Sequence, residues 1–122
     1  MLQNDFYTIV QSDRVEARQK VRIRLNADHS IFAGHFPEMP VVPGVCMIQM
    51  IKELTEQQLD AKLRLVKAPV IKFLNMLQPE KHPEVDIAIE VKAMDDQQYL
   101  VKGNLSFEAT TFLKFKGNFH EQ

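Results

Sequence analysis

Hydrophobic and polar residues alternate most cleanly in two segments. Val21, Ile23 and Leu25 are separated by Arg22 and Arg24, and Val85, Ile87, Ile89 and Val91 run between Asp86, Glu90 and Lys92. A period of two sends successive side chains to opposite faces, so both segments are predicted to be half-buried strands. Tyr99 to Phe107 and Thr111 to Phe119 continue the pattern, with Asp95-Asp96 and Glu108-Ala109 as turns. Leu63 to Leu77 is extended in character, broken by Pro69 and closed by Pro79. Residues 28 to 43 hold three prolines and a glycine and are predicted as loop. From Gly44 to about Leu59 the period changes. Val45, Cys46, Met47, Ile48, Met50 and Ile51 are apolar on every side of a helix, which predicts two buried turns. Polar residues gather after Lys52, so Glu53 to Asp60 is predicted to emerge toward solvent. One buried helix followed by antiparallel strands implies an α+β domain with a sheet wrapped around one central helix.

Composition narrows the class. A chain of 122 residues has room for one core, so residues 1–122 are read as a single domain. With 45% hydrophobic and 25% charged residues, the balance is that of a globular protein. A net charge of −1 argues against nucleic acid as a partner, because such binding draws on surplus Lys and Arg. The lone Cys46 excludes an intrachain disulfide and suits a reducing compartment. Met1-Leu2-Gln3-Asn4-Asp5 lacks the features of a signal peptide, and no apolar run approaches the ~20 residues of a membrane span. A cytoplasmic protein with no membrane association is the expectation.

Chemistry concentrates between Gly34 and Gln49. His35 can be neutral and accept a proton near pH 7, and Pro37 and Pro40 stiffen the backbone after it. Pro43 precedes the helix, so the first amides without an intrahelical acceptor belong to Gly44, Val45 and Cys46. Those amides and the helix dipole would stabilise a developing oxyanion, and Gly44 lets a substrate approach closely. A loop histidine and a Pro-Gly helix start are also ordinary structural features. Gln49 is the one polar residue between Val45 and Ile51. A buried amide needs partners, so it is expected to face a pocket or a hydrogen-bonded neighbour.

Gly34-His35-Phe36-Pro37, Pro40-Val41 and Pro43-Gly44-Val45 resemble the signature of the FabZ/FabA-like 3-hydroxyacyl-acyl carrier protein dehydratases, a hotdog family. The resemblance is dense from Phe32 to Gln49 and looser from Val70 to Leu77. It implies a hotdog fold and action on acyl thioesters of acyl carrier protein or coenzyme A, in fatty-acid or polyketide-type synthesis. It also implies a homodimer, a higher oligomer of dimers or a heterodimer, with no cofactor and no metal. His35 would remove the α-proton, with Gly44 contributing its amide and Phe36, Pro43 and Val45 binding substrate. Fourteen residues after the histidine, where the family carries Glu or Asp, this chain has Gln49. An amide can hold a hydroxyl but cannot supply an ionisable proton. Three readings follow. The chain is a dehydratase working through His35, or an impaired subunit partnering an active dehydratase, or, ranked last, an acyl thioesterase.

Other residues enter as weaker candidates. Glu53, one turn beyond Gln49, and Glu38 could stand in for the missing acid, though both are expected to be solvated. Arg18, Lys20, Arg22 and Arg24 recur at every second position, so a strand would present all four on one face. Such a ribbon could dock an acidic carrier protein or be a solvated outer face. Cys46 reads as a core residue, and His29, His82 and His120 have no supporting pattern for a metal site.

Overall fold

The computed structural model describes residues 1–34 and 38–122. The two clean alternating segments lie side by side, β2 (Arg18–Leu25) pairing antiparallel with β4 (Glu84–Ala93) so that Val21 faces Ile87 and Ile23 faces Val85. β5 (Gln98–Phe107) and β6 (Thr110–Glu121) continue the sheet, and β3 (Leu63–Phe73) closes one edge against β6. Among the described residues the six strands pair antiparallel throughout, in the order β1-β2-β4-β5-β6-β3. The turns fall where predicted. Asp96, Gln97 and Glu108 adopt positive φ, which lets the chain reverse between strands. Pro69 sits on the edge strand at a register irregularity, the kind of place where a missing N–H does no harm.

One strand has no counterpart in the predicted pattern. β1 (Tyr7–Val15) pairs with β2 at the opposite edge, and after Tyr7 its residues are exposed or half-buried. With neither face well covered, nothing forces its polar and apolar residues to alternate. The loop predicted for residues 28 to 43 also contains a short helix, α1 (Ser30–Gly34). Side chains start it: Asn26 Oδ1 accepts the Asp28 amide at 3.0 Å, and His29 Nδ1 accepts the Ile31 amide at 3.0 Å. The prolines all lie beyond it.

α2 (Gly44–Leu59) packs on the inner face of the sheet. Met47, Met50, Ile51 and Leu54 join Val21, Ile23, Ile87, Ile89, Val101 and Leu105 in one core. One close approach is at Gly103 of β5, where an added Cβ would lie 3.0 Å from Ile51 Cδ1. A side chain there would require Ile51 to shift by a few tenths of an ångström. Burial along α2 differs from the sequence pattern in both halves. Val45 is 75% exposed, and Ile48, Gln49 and Lys52 are half-buried, because the sheet covers only one side of the helix. Conversely, Glu53, Leu54 and Thr55 are buried, the hydroxyl of Thr55 bonding the Ile51 carbonyl at 2.7 Å.

The outer face of the sheet is a lattice of charges. Arg18, Lys20, Arg22 and Arg24 do share it, and Arg18, Arg22 and Arg24 are paired with Glu90, Asp86 and Glu84 of β4. Arg22 grips Asp86 through two bonds of 2.8 and 3.1 Å. Hydrogen bonding from Arg22 holds the Asp86 carboxyl below its ordinary range, against the opposing effect of burial. A lowered folded-state pKa gives stability that is present above the unfolded value and lost as pH falls through the folded one. Asp86→Asn is therefore expected to lower the urea midpoint at pH 7, by a margin that shrinks as pH falls below the ordinary aspartate range. A margin that stays constant would refute this linkage.

Candidate active site

The start of α2 is built by Pro43, which takes extended angles (φ −60°, ψ 143°) and has no capping side chain. Its carbonyl accepts the amides of Cys46 at 3.0 Å and Met47 at 3.3 Å. Cys46 is thus removed from the set of free amides. Among the described residues, those of Gly44 and Val45 have no backbone acceptor. Two N–H groups at a helix start, aided by the dipole, are what an acyl oxygen gaining negative charge requires. His35 and Phe36, the residues placed first on that loop by the sequence, lie outside the described residues.

The Gly44 end of α2 opens on a groove of about 500 Å³ lined by Val41, Met47, Phe73, Leu74 and Met76. Phe73, Leu74 and Met76 are exposed, although each is strongly apolar. The Phe73 ring rests on Gly44 so closely that a Cβ there would stand 2.5 Å from Cζ. Gly44 therefore serves close approach in this fold, and the occupant of its open side is an aromatic ring.

Gln49 has a partner. Its Nε2 donates to Glu53 Oε2 at 2.9 Å, one helical turn on. Glu53 is not the solvated carboxylate expected from the sequence. It is fully buried and also accepts from the Leu2 amide (2.8 Å), the Gln3 amide (3.0 Å) and the Tyr7 hydroxyl (3.2 Å). Each neighbour donates, a set suited to an acceptor-only carboxylate. Burial first, and then Glu53, push the Tyr7 phenol far above its usual value, so it stays a donor. With both oxygens occupied, Glu53 is poorly placed to lend a proton to a substrate, and it anchors the amino terminus across α2. The i, i+4 spacing of Gln49 and Glu53 was visible in the sequence, whereas Leu2, Gln3 and Tyr7 join only through the fold. Glu38 is exposed, as expected.

The remaining candidates have structural roles. Cys46 is buried, and burial raises its thiol pKa, which opposes thiolate chemistry. His29 bonds Asp5 through Nε2 at 3.0 Å while its other nitrogen caps α1, and His120 donates to the Glu121 carbonyl at 2.6 Å. Among the described residues no group of three or more His, Cys, Asp or Glu is arranged to hold a metal. No described helix is long and apolar enough to cross a membrane.

Known proteins are similar to this chain in sequence and in fold. The sequence model of the ApeI-like family, described as ApeI dehydratase, matches residues 11–117. The chain is 38% identical over 53 residues to a 3-hydroxyacyl-[acyl-carrier-protein] dehydratase FabZ of Geobacillus thermodenitrificans, a match covering 39% of this chain and 37% of that protein. In shape it is similar to the dehydratase heterocomplex ApeI:P from Xenorhabdus doucetiae, with a TM-score of 0.74 and 18% identity over 92% of this chain and 96% of that one. A variant of a thioesterase from Staphylococcus aureus superposes with a TM-score of 0.67 at 6% identity, covering 95% of this chain and 93% of that one. These likenesses in shape show an α+β hotdog fold.

Proposed function

Because the chain belongs to the ApeI-like dehydratase family, we propose that it removes water from 3-hydroxyacyl thioesters borne on an acyl carrier protein, in fatty-acid or polyketide-type synthesis. The observation that carries this reading is the start of α2. There the amides of Gly44 and Val45 have no described acceptor, and Gly44 lines a groove walled mainly by apolar side chains. In the proposed reaction His35 takes the α-proton and negative charge moves onto the thioester oxygen, where those amides hold it. Collapse of that charge forms the α,β double bond and breaks the Cβ–O bond. The proton on His35 passes to the departing hydroxyl, and the two leave as water. Pro43 and Phe36 would border the acyl chain, and no cofactor or metal takes part.

The proposed assembly is a dimer. β3 is an edge strand, and Val45, Ile71, Phe73, Leu74 and Met76 expose apolar surface near it. In a dimer of the kind that the family resemblance implies, His35 of one protomer would face Gln49 of the other. Sedimentation of a one-chain species at micromolar concentration would count against it. The carrier would dock on the outer face of the sheet. Lys20 lies opposite Ala88 and forms no ion pair among the described residues. With Lys102, Lys114 and Lys116 it lines a groove of about 780 Å³ suited to an acidic surface.

The test is loss of water from a 3-hydroxyacyl-carrier protein, followed by mass spectrometry. His35→Ala is expected to slow it by roughly 10²–10⁴-fold. Reversing Lys114 and Lys116 to Glu is expected to raise KM for the carrier-borne substrate and leave a pantetheine-borne one unaffected. Absence of turnover in the native chain would sink the dehydratase reading. It would favour the second one, a subunit that supports an active partner, which draws on Gln49 and on the heteromeric state of the Xenorhabdus doucetiae complex.

A further inference from the structure

A carboxylate accepts hydrogen bonds and donates none. At 2.9 Å from Glu53 Oε2, therefore, only the NH₂ end of the Gln49 amide fits. Glu53 cannot turn to offer anything else. It is fully buried, and Leu2, Gln3 and Tyr7 also donate to its two oxygens. The opposite end of the Gln49 amide, Oε1, has no hydrogen-bond partner among the described residues, on a side chain that is only half-buried. It lies on the side of α2 that carries exposed Val45 and half-buried Ile48 and Lys52, the side the sheet leaves uncovered.

We infer that Glu53 is a positioning residue that holds the Gln49 amide with its carbonyl oxygen outward, making position 49 an acceptor that selects 3-hydroxyacyl over 3-oxoacyl thioesters. The selectivity rests on the proposed reading, which puts the acyl 3-position at Gln49. The orientation of the amide does not. A 3-hydroxyl can donate to Oε1. A 3-oxo oxygen cannot, and it would leave two acceptors facing each other without a proton between them. Sites built to pair with a substrate hydroxyl reject analogues that lack it far more strongly than sites that only measure size. The enoyl product, having lost its hydroxyl, also loses this bond, which favours its release.

Two measurements test the inference. In ¹⁵N–¹H spectra of the full chain, the Gln49 side-chain amide, assigned by its loss in Gln49→Leu, is expected to exchange slowly and to shift in Glu53→Gln. Exchange at the rate of a free amide, with no shift in that variant, would overturn the orientation. Binding of 3-hydroxybutyryl-pantetheine is expected to be about tenfold or more tighter than that of the 3-oxobutyryl thioester. This preference should shrink in Glu53→Gln and vanish in Gln49→Leu, which keeps the size of the side chain. Equal affinity of the native chain for both ligands refutes the selectivity while leaving thioester binding intact. Binding of neither refutes the thioester reading and the selectivity together, and the spectra alone then decide the orientation.

Discussion

Glu53→Ala is expected to cost on the order of 4 kcal/mol of folding stability, read as a shift in the urea midpoint. The substitution strands four donors at once: the amides of Leu2 and Gln3, the Tyr7 hydroxyl and the Gln49 amide. A buried donor left without an acceptor loses about 1–3 kcal/mol. The bond to Tyr7 is fully buried, and the other three are part-buried, so water restores some of their loss. The amino terminus should come away from α2 in the same variant, seen as faster hydrogen exchange at Leu2 and Gln3. Glu53→Gln keeps an acceptor oxygen and is expected to cost about 1–2 kcal/mol. Glu38→Ala, at an exposed position, should lie within about 0.5 kcal/mol of the native chain. A loss below about 1 kcal/mol in Glu53→Ala would show that the cluster is incidental to the fold.

Gln49→Glu is expected to raise the rate of dehydration by roughly 10²-fold or more, since it supplies a proton donor where the native chain has an amide. Its effect on stability runs the other way. The new carboxyl would replace an amide 2.9 Å from the buried Glu53, and two carboxylates that close cannot both ionise cheaply. The introduced group therefore keeps its proton above the ordinary range; at rest that proton bonds to Glu53, as the native NH₂ does, and it serves the leaving hydroxyl once the carboxyl turns outward. A raised folded-state pKa contributes stability below the unfolded value that is lost as pH rises through the folded one. The variant should thus fall progressively behind the native chain from pH 4 upward. Exchanging the two residues, Gln49→Glu with Glu53→Gln, restores one carboxyl and one amide and should remove that pH dependence. Unchanged turnover in Gln49→Glu, with both proteins folded, would mean that position 49 does not face the leaving hydroxyl.

The parts of this protein legible from residue order are those governed by neighbours in the chain. β2, β4, β5 and β6 each have one face on the core and one in water, so burial imposed an alternation that can be read directly. The reversal near Asp96 follows from turn chemistry confined to a few residues. The change to an apolar helical pattern after Pro43 likewise announced α2. β1 left no such mark, because an edge strand that is exposed after Tyr7 puts no demand on the order of its residues. α1 was concealed for a related reason: it begins on side-chain bonds from Asn26 and His29, not on a periodic stripe.

The candidate site divides along the same line. Gly44, Val45 and Gln49 stand out because a Pro-Gly helix start and a polar residue in an apolar run are local signals. Residue order misplaced Glu53 in solvent and Val45 in the core, because side-chain burial on a helix depends on what arrives from elsewhere. The sheet reaches only one side of α2, leaving Val45 bare, while Leu2, Gln3 and Tyr7 cross from 46 to 51 residues away to enclose a carboxylate. A buried charge is tolerated only where donors converge on it. Here they converge through tertiary structure alone, and that convergence sets which end of Gln49 is left to meet a ligand.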